Sequence, residues 1–198
     1  MPKELTIESL CEEAKRFAEI ESTHAEPILH GVTDGKAVGT YLEHRFRAFL
    51  TAKYSFTAGN SASGIDFPEL GVDMKVTSIK QPQSSCPFRS ARQKIFGLGY
   101  GLIIFVYNKI DNHEEKTGTL LIDHTVVVRK ERTADFQMTR GLRQILENKG
   151  NEDDLVAFMA DKMLPVEEIE LTQSLRICWL GPKCCKAISP FRMPGSGG

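Results

Sequence analysis

The chain has 198 residues, with 25 Lys and Arg against 26 Asp and Glu, for a formal net charge of −1. That length suits one domain with a sizeable core, and 41% hydrophobic with 26% charged residues is the balance of an ordinary globular protein. No apolar run approaches the roughly 18 residues of a membrane span, and the acidic N-terminal stretch lacks the basic-then-apolar order of a secretion signal.

Ile7, Leu10, Cys11, Ala14, Phe17 and Ala18 recur at helical spacing, which predicts an amphipathic helix over 6–21 started by Thr6. A loop with His24, Pro27 and His30 follows. Asp34 is an N-cap candidate for a helix over 36–51 with the apolar stripe Val38, Leu42, Phe46, Phe49 and Leu50. Residues 53–57 suit a short strand and 61–64 a turn. Ile65-Asp66-Phe67 reads as extended, Pro68-Glu69-Leu70-Gly71 as a tight turn, and Val72 to Thr77 as a strictly alternating strand. The Ser, Gln and Pro of 78–87 make a loop.

A helix over about 88–97 is expected to end at Gly97 or Gly99. Leu102 to Tyr107 is a continuous apolar run that predicts a strand buried on both faces. Leu120–Val128 predicts a further strand or a bent pair, and helices are expected over 139–149 and 152–163, with Asn151 capping the second. Arg176–Leu180 reads as a late strand, and 194–198 as a flexible tail.

Segment counting changes the meaning of the net charge. Residues 74–110 carry six bases and no acid, whereas 1–35 carry eight acids and three bases and 150–170 carry seven acids and one base. Such local asymmetry is the footprint of an electrostatic partner surface, which the total conceals.

The chemistry concentrates between Gly64 and Thr77. Two residues apart on a strand, Asp73 and Lys75 share one face, while Val72, Met74 and Val76 point the other way into the core. In a hairpin around Pro68–Gly71, Asp66 faces the same solvent side. Two carboxylates and an ammonium then form one patch, which suits phosphodiester hydrolysis: Mg²⁺ takes oxygen ligands, and a lysine orients the nucleophile or stabilises developing charge. The triplet acid-x-Lys occurs five times, but only Asp73/Lys75 lies on an alternating strand with a second Asp upstream and an acid-free basic segment downstream.

Asp66-x6-Asp73-Met74-Lys75, after a helix bearing Glu43 and before a helix and an apolar strand, resembles the PD-(D/E)XK nuclease superfamily. Within it the chain is most similar to Type II restriction endonucleases. The resemblance covers about 36–107 and implies an α/β (α+β) fold, a central mixed sheet flanked by helices with an α-β-β-β-α-β core and C-terminal helical and strand additions. It implies Asp66 and Asp73 as metal ligands, Lys75 as the catalytic lysine, and Glu43 as an assisting acid on the preceding helix, where Gly39 permits close approach to the sheet. Ile65 stands where proline is common, and Asp73 where Glu is commoner.

The expected organisation is one endonuclease domain over 1–193, with 1–35 a helical extension and 108–193 completing the sheet, the dimer or the DNA-reading surface. Lys80, Gln81, Gln83, Ser84, Ser85, Arg89, Arg92 and Lys94 follow the catalytic strand and are candidate DNA contacts. Arg129, Lys130, Arg132, Arg140 and Arg143 form a candidate second surface. Glu69, in the turn, is expected to be solvated.

Other signals were weaker. Gly97-Leu98-Gly99-Tyr100-Gly101 has the wrong spacing and context for a nucleotide loop. Cys178, Cys184 and Cys185 lack paired zinc spacing, and the five scattered histidines have no metal-finger pattern. Five unevenly spread cysteines read as reduced thiols in a cytoplasmic protein. The expectation is therefore a Mg²⁺-dependent, homodimeric endonuclease acting on double-stranded DNA at a specific short sequence. A structure-selective or repair nuclease and a non-cleaving DNA-binding module are the alternatives.

Overall fold

A computed structural model describes residues 3–59, 64–82 and 88–162. The predicted late strand at 176–180, the tail, and Gln83, Ser84 and Ser85 lie outside them. The chain divides into two compact units, Met1–Cys86 with Tyr100–Val128, and Pro87–Gly99 with Arg129–Gly198.

The first unit starts with β1 (Lys3–Glu4) and α1 (Ile7–Glu21). Thr6 caps α1 through a reciprocal pair of bonds with Ser9, satisfying amide groups that the first turn leaves open. β2 (Ala25–Glu26) precedes a 3-10 turn at Pro27–Leu29. α2 (Gly35–Thr51) is capped by Asp34, whose carboxylate accepts from the amides of Lys36 and Ala37. The predicted strand at 53–57 shrinks to β3 (Tyr54–Ser55), which pairs in parallel with β1.

The main sheet comprises β2, β4 (Val72–Ser78), β5 (Gly101–Asn112) and β6 (Thr117–Val128), in the order β2-β6-β5-β4. β4 runs parallel to β5, and β5 and β6 form an antiparallel hairpin. The fold is thus a mixed four-stranded sheet with flanking helices, as expected. The core beneath it is aromatic: Phe17 of α1, Phe46 of α2 and Phe105 of β5 lie with ring centroids 5.0–5.8 Å apart, in the tilted and edge-on geometries that aromatic pairs favour.

One expectation fails here. The 102–107 run is not buried on both faces. Ile103, Phe105 and Tyr107 are buried, while Leu102, Ile104 and Val106 are only partly covered. α1 and α2 supply the aromatic core on one side, so the apolar alternates on the other side remain half-open.

α1 and α2 are also tied by a polar clasp. Glu21, 2% exposed, accepts from the Tyr41 hydroxyl at 2.8 Å and from Arg45 Nη2 at 3.1 Å. Burial, then the bond to Glu21, pushes the Tyr41 phenol far above its ordinary range. Glu21→Ala leaves a phenol and a guanidinium without their acceptor. It is expected to cost about 2 kcal/mol, lowering the melting temperature by about 4–8 °C in a circular dichroism melt.

The second unit contains α3 (Ala91–Phe96), α4 (Phe136–Glu147) and α5 (Glu152–Asp161). Their apolar faces meet through Ile95, Met138, Leu142, Leu155 and Met159. Asn151 caps α5 by a reciprocal pair of bonds with Asp154, as the predicted break at Gly150-Asn151 required.

Candidate active site

The site is built on the edge strand β4. A 3-10 turn at Pro68–Leu70 ends in Gly71, whose φ of 60° is the left-handed conformation that glycine adopts without penalty. The turn brings Phe67 opposite Val72, with hydrogen bonds in both directions. The expected hairpin over 65–67 and 72–76 is therefore reduced to one bridge. In a parallel pair, alternate residues direct their backbone groups to the same neighbour, so the Met74 amide of an edge strand points away from β5. Asp66 fills that place: its Oδ2 accepts the Met74 N–H at 2.8 Å. A side chain thus does the work of a missing strand and is held beside Asp73.

Asp73 differs from expectation. It shares a strand face with Lys75, but whereas the Lys75 side chain reaches solvent, Asp73 is only 3% exposed. Its neighbour across the parallel register is Leu102, and that of Lys75 is Ile104, so both ionic groups emerge from an apolar surround. Lys75 Nζ lies 2.8 Å from Asp73 Oδ2, yet out of line, so this buried oxygen receives no hydrogen bond.

The electrostatics follow from crowding. Burial, then the hydrogen bond shared with Asp66, pushes the Asp73 carboxyl above its ordinary value, with Lys75 opposing. Burial acts upward on Asp66 too, but bonds from Asp73, the Met74 amide and Arg47 outweigh it and hold its carboxyl low. Two adjacent carboxyls cannot both ionise cheaply, so each opposes the other's charge, and Arg47 and Lys75 offset that repulsion from either side. Burial lowers the affinity of Lys75 for its proton, but Asp73 and Asp66 more than compensate, and the ammonium is held above its ordinary value.

Glu43 belongs to the same field. Burial, then Asp66, raises its carboxyl, against Arg47 and Lys75. Arg47, four residues further along α2, is ion-paired with Asp66 Oδ1 rather than with Glu43. Gly39, Glu43 and Arg47 form one stripe of α2 at steps of four residues. Gly39 is not essential to the close approach: a Cβ there would meet Val76 Cβ at 3.9 Å, an ordinary contact.

Arg47 is the residue that sequence reasoning missed. It fixes Asp66 from the helix while Met74 fixes it from the strand, and its buried Nε has no partner. The signal was its position one turn beyond Glu43. Glu69, by contrast, is no ligand; it accepts from the Thr57 hydroxyl and ties the turn to the preceding loop.

Among the described residues, no three His, Cys, Asp or Glu side chains cluster tightly enough to cage a metal. Asp66 and Asp73 alone offer two carboxylates, with one buried oxygen that has no aligned hydrogen-bond donor. That set fits Mg²⁺, which keeps several waters and takes only one or two protein carboxylates together with phosphate oxygens.

The candidate DNA contacts divide between the two units. Lys80 and Gln81 line a cleft of about 260 Å³ with Thr77 and Ser78 at the end of β4 and Gly35 at the start of α2. Arg89, Arg92 and Lys94 belong to the second unit, on α3 or just before it, and the Arg92 guanidinium lies 5.9 Å from the Phe96 ring centre. Arg140 and Arg143 lie on α4, and Arg129, Lys130 and Arg132 in or beside the 3-10 turn before it.

Comparison with known proteins adds independent findings. A family model described as Type II restriction enzyme NspV matches residues 4–179. The Type II restriction enzyme NspV of Nostoc sp. (strain ATCC 29411 / PCC 7524) is 69% identical over 166 residues, which is 84% of this chain and 76% of that protein. No solved structure matches the chain.

Proposed function

The chain belongs to the Type II restriction enzyme NspV family and is a restriction endonuclease; we propose that it cuts double-stranded DNA at a specific short sequence through a PD-(D/E)XK site made of Asp66, Asp73 and Lys75. The supporting observation is the state of Asp73, a buried carboxyl whose Oδ2 meets the Lys75 ammonium at 2.8 Å but out of line, with a second carboxyl beside it. Structural economy would replace such a residue with an apolar one. A divalent cation and a phosphate give it a purpose.

In this reading Asp66 and Asp73 hold Mg²⁺. When bound, that ion supplies positive charge against the phosphate and lowers the pKa of an adjacent water. Lys75 orients the attacking water and stabilises the charge that develops on the phosphate oxygens. Arg47 keeps Asp66 in place, and Glu43 adds negative charge beside the pair. Lys80, Gln81, Arg89, Arg92 and Lys94 contact DNA, with Gln83, Ser84 and Ser85 as further contacts of the same segment. Cutting both strands of a palindromic sequence calls for two sites related by a twofold axis, so the working form is a homodimer. Residues 1–193 act as one endonuclease domain, in the cytoplasm. Among the described residues no helix is long and apolar enough to cross a membrane.

The family match favours a restriction enzyme over a structure-selective or repair nuclease, and the intact Asp66, Asp73 and Lys75 disfavour a non-cleaving module. Incubation with phage DNA and Mg²⁺, read on a gel, is expected to give discrete fragments. A smear would contradict sequence specificity, and a mobility shift without cutting would support the binding module.

A further inference from the structure

His30 and His113 are 83 positions apart in the sequence, yet His30 Nε2 lies 3.3 Å from His113 Nδ1. Their rings are nearly perpendicular, at 79°, with centroids 5.4 Å apart. Two nitrogens bound to one tetrahedral metal at about 2.0–2.1 Å stand about 3.3–3.4 Å from each other. The observed separation meets that requirement. The two nitrogens share a hydrogen bond, and a metal would lie about 1.2 Å off the line joining them, so each ring turns by roughly 35° and the shared proton moves to the other nitrogen of its ring when the metal binds.

The backbones that carry these rings are fixed independently of them. His30 ends the 3-10 turn at Pro27–Leu29, and its amide bonds to the Pro27 carbonyl at 3.1 Å. His113 opens the turn of the β5–β6 hairpin, where Asn112 Oδ1 accepts the amides of Glu114 and Glu115 at 3.0 and 3.2 Å. The two segments are held against one another. β2 pairs with β6 at Ala25–Thr119 and Glu26–Gly118, and Leu29 packs so closely on Gly118 that a Cβ there would lie 2.9 Å from it. Asp111, ion-paired through Oδ1 with Lys109, accepts the Gly31 amide at 3.4 Å and so ties the residue after His30 to β5. The backbones that present the two rings are thus fixed before any ligand binds.

We propose that His30 and His113 form a binding site for a first-row transition-metal ion, Zn²⁺ foremost, that staples the Pro27–Leu29 turn to the β5–β6 hairpin. Imidazole suits Zn²⁺, Cu²⁺ and Ni²⁺, whereas Mg²⁺ prefers oxygen, so this site and Asp66/Asp73 select different ions. No third His, Cys, Asp or Glu among the described residues completes a cage. Water fills the remaining positions, which makes the site weaker than a four-ligand structural zinc site.

Zn²⁺ titrated calorimetrically into the full chain, without Mg²⁺ or chelator, is expected to reveal a site that weakens about 10- to 100-fold in His30→Gln and in His113→Gln. Asp73→Asn is expected to leave that site intact, which separates it from the proposed nuclease centre. The metal-free melts of the histidine variants are expected to match wild type, because the pair is exposed. One equivalent of Cu²⁺ reads the ligands directly: electron paramagnetic resonance is expected to show nitrogen hyperfine structure from two imidazoles in wild type and one in either variant. Zn²⁺ isotherms that superpose for wild type and the double variant, or a Cu²⁺ spectrum without two imidazoles, would overturn the proposal.

Discussion

Asp73→Asn is expected to lower the rate of DNA cleavage by about three orders of magnitude or more, with the melting temperature unchanged or raised. The two effects have one cause. Asp73 is buried, its carboxyl is pushed up by burial and by Asp66, and one oxygen has no aligned donor. Burying that carboxyl costs free energy in the absence of a cation, and an amide of the same shape removes the cost together with the metal ligand. Cleavage assays with Mg²⁺ and a circular dichroism melt read the two halves separately. A variant that cuts at the wild-type rate refutes the ligand assignment, and one that melts well below wild type shows that Asp73 serves the fold instead.

Lys75→Ala is expected to reduce cleavage by about 10²- to 10³-fold, the scale seen when one donor to a developing oxyanion is lost. It differs from Asp73→Asn in what it spares. Among Glu43, Asp66, Asp73, Arg47 and Lys75, removing the ammonium shifts the sum of formal charges further negative, so the attraction for a divalent cation is kept. Lys75→Ala is therefore expected to retain a Mg²⁺-dependent mobility shift with DNA that Asp73→Asn loses. If both variants lose the shift, Lys75 holds the metal or the fold rather than the reacting water.

Much of this was legible in the sequence. The caps Thr6, Asp34 and Asn151 are local: each side chain bonds amides two or three residues away, so composition and spacing suffice. The strand at Val72 followed from alternation, and the pairing of Asp73 with Lys75 on one face followed from that. What alternation could not reveal is what covers the second face. Asp73 was expected in solvent because apolar residues alternate with it. Its burial comes from the bent-back Asp66 segment and from the apolar register partner Leu102. The role of Arg47 was hidden for the same reason. Its partner lies 19 positions away across a turn, beyond the reach of any helical spacing rule. The His30–His113 pair exists only because β2 and the β5–β6 hairpin meet, a long-range contact with no spacing rule.

The metal dependence of cleavage tests the central claim most directly. The rate at which wild-type protein cuts phage DNA, followed across a Mg²⁺ titration and again after chelation, is expected to rise from zero to a plateau and to return to zero. Cutting that persists at an undiminished rate in excess chelator would contradict the assignment of Asp66 and Asp73 as metal ligands.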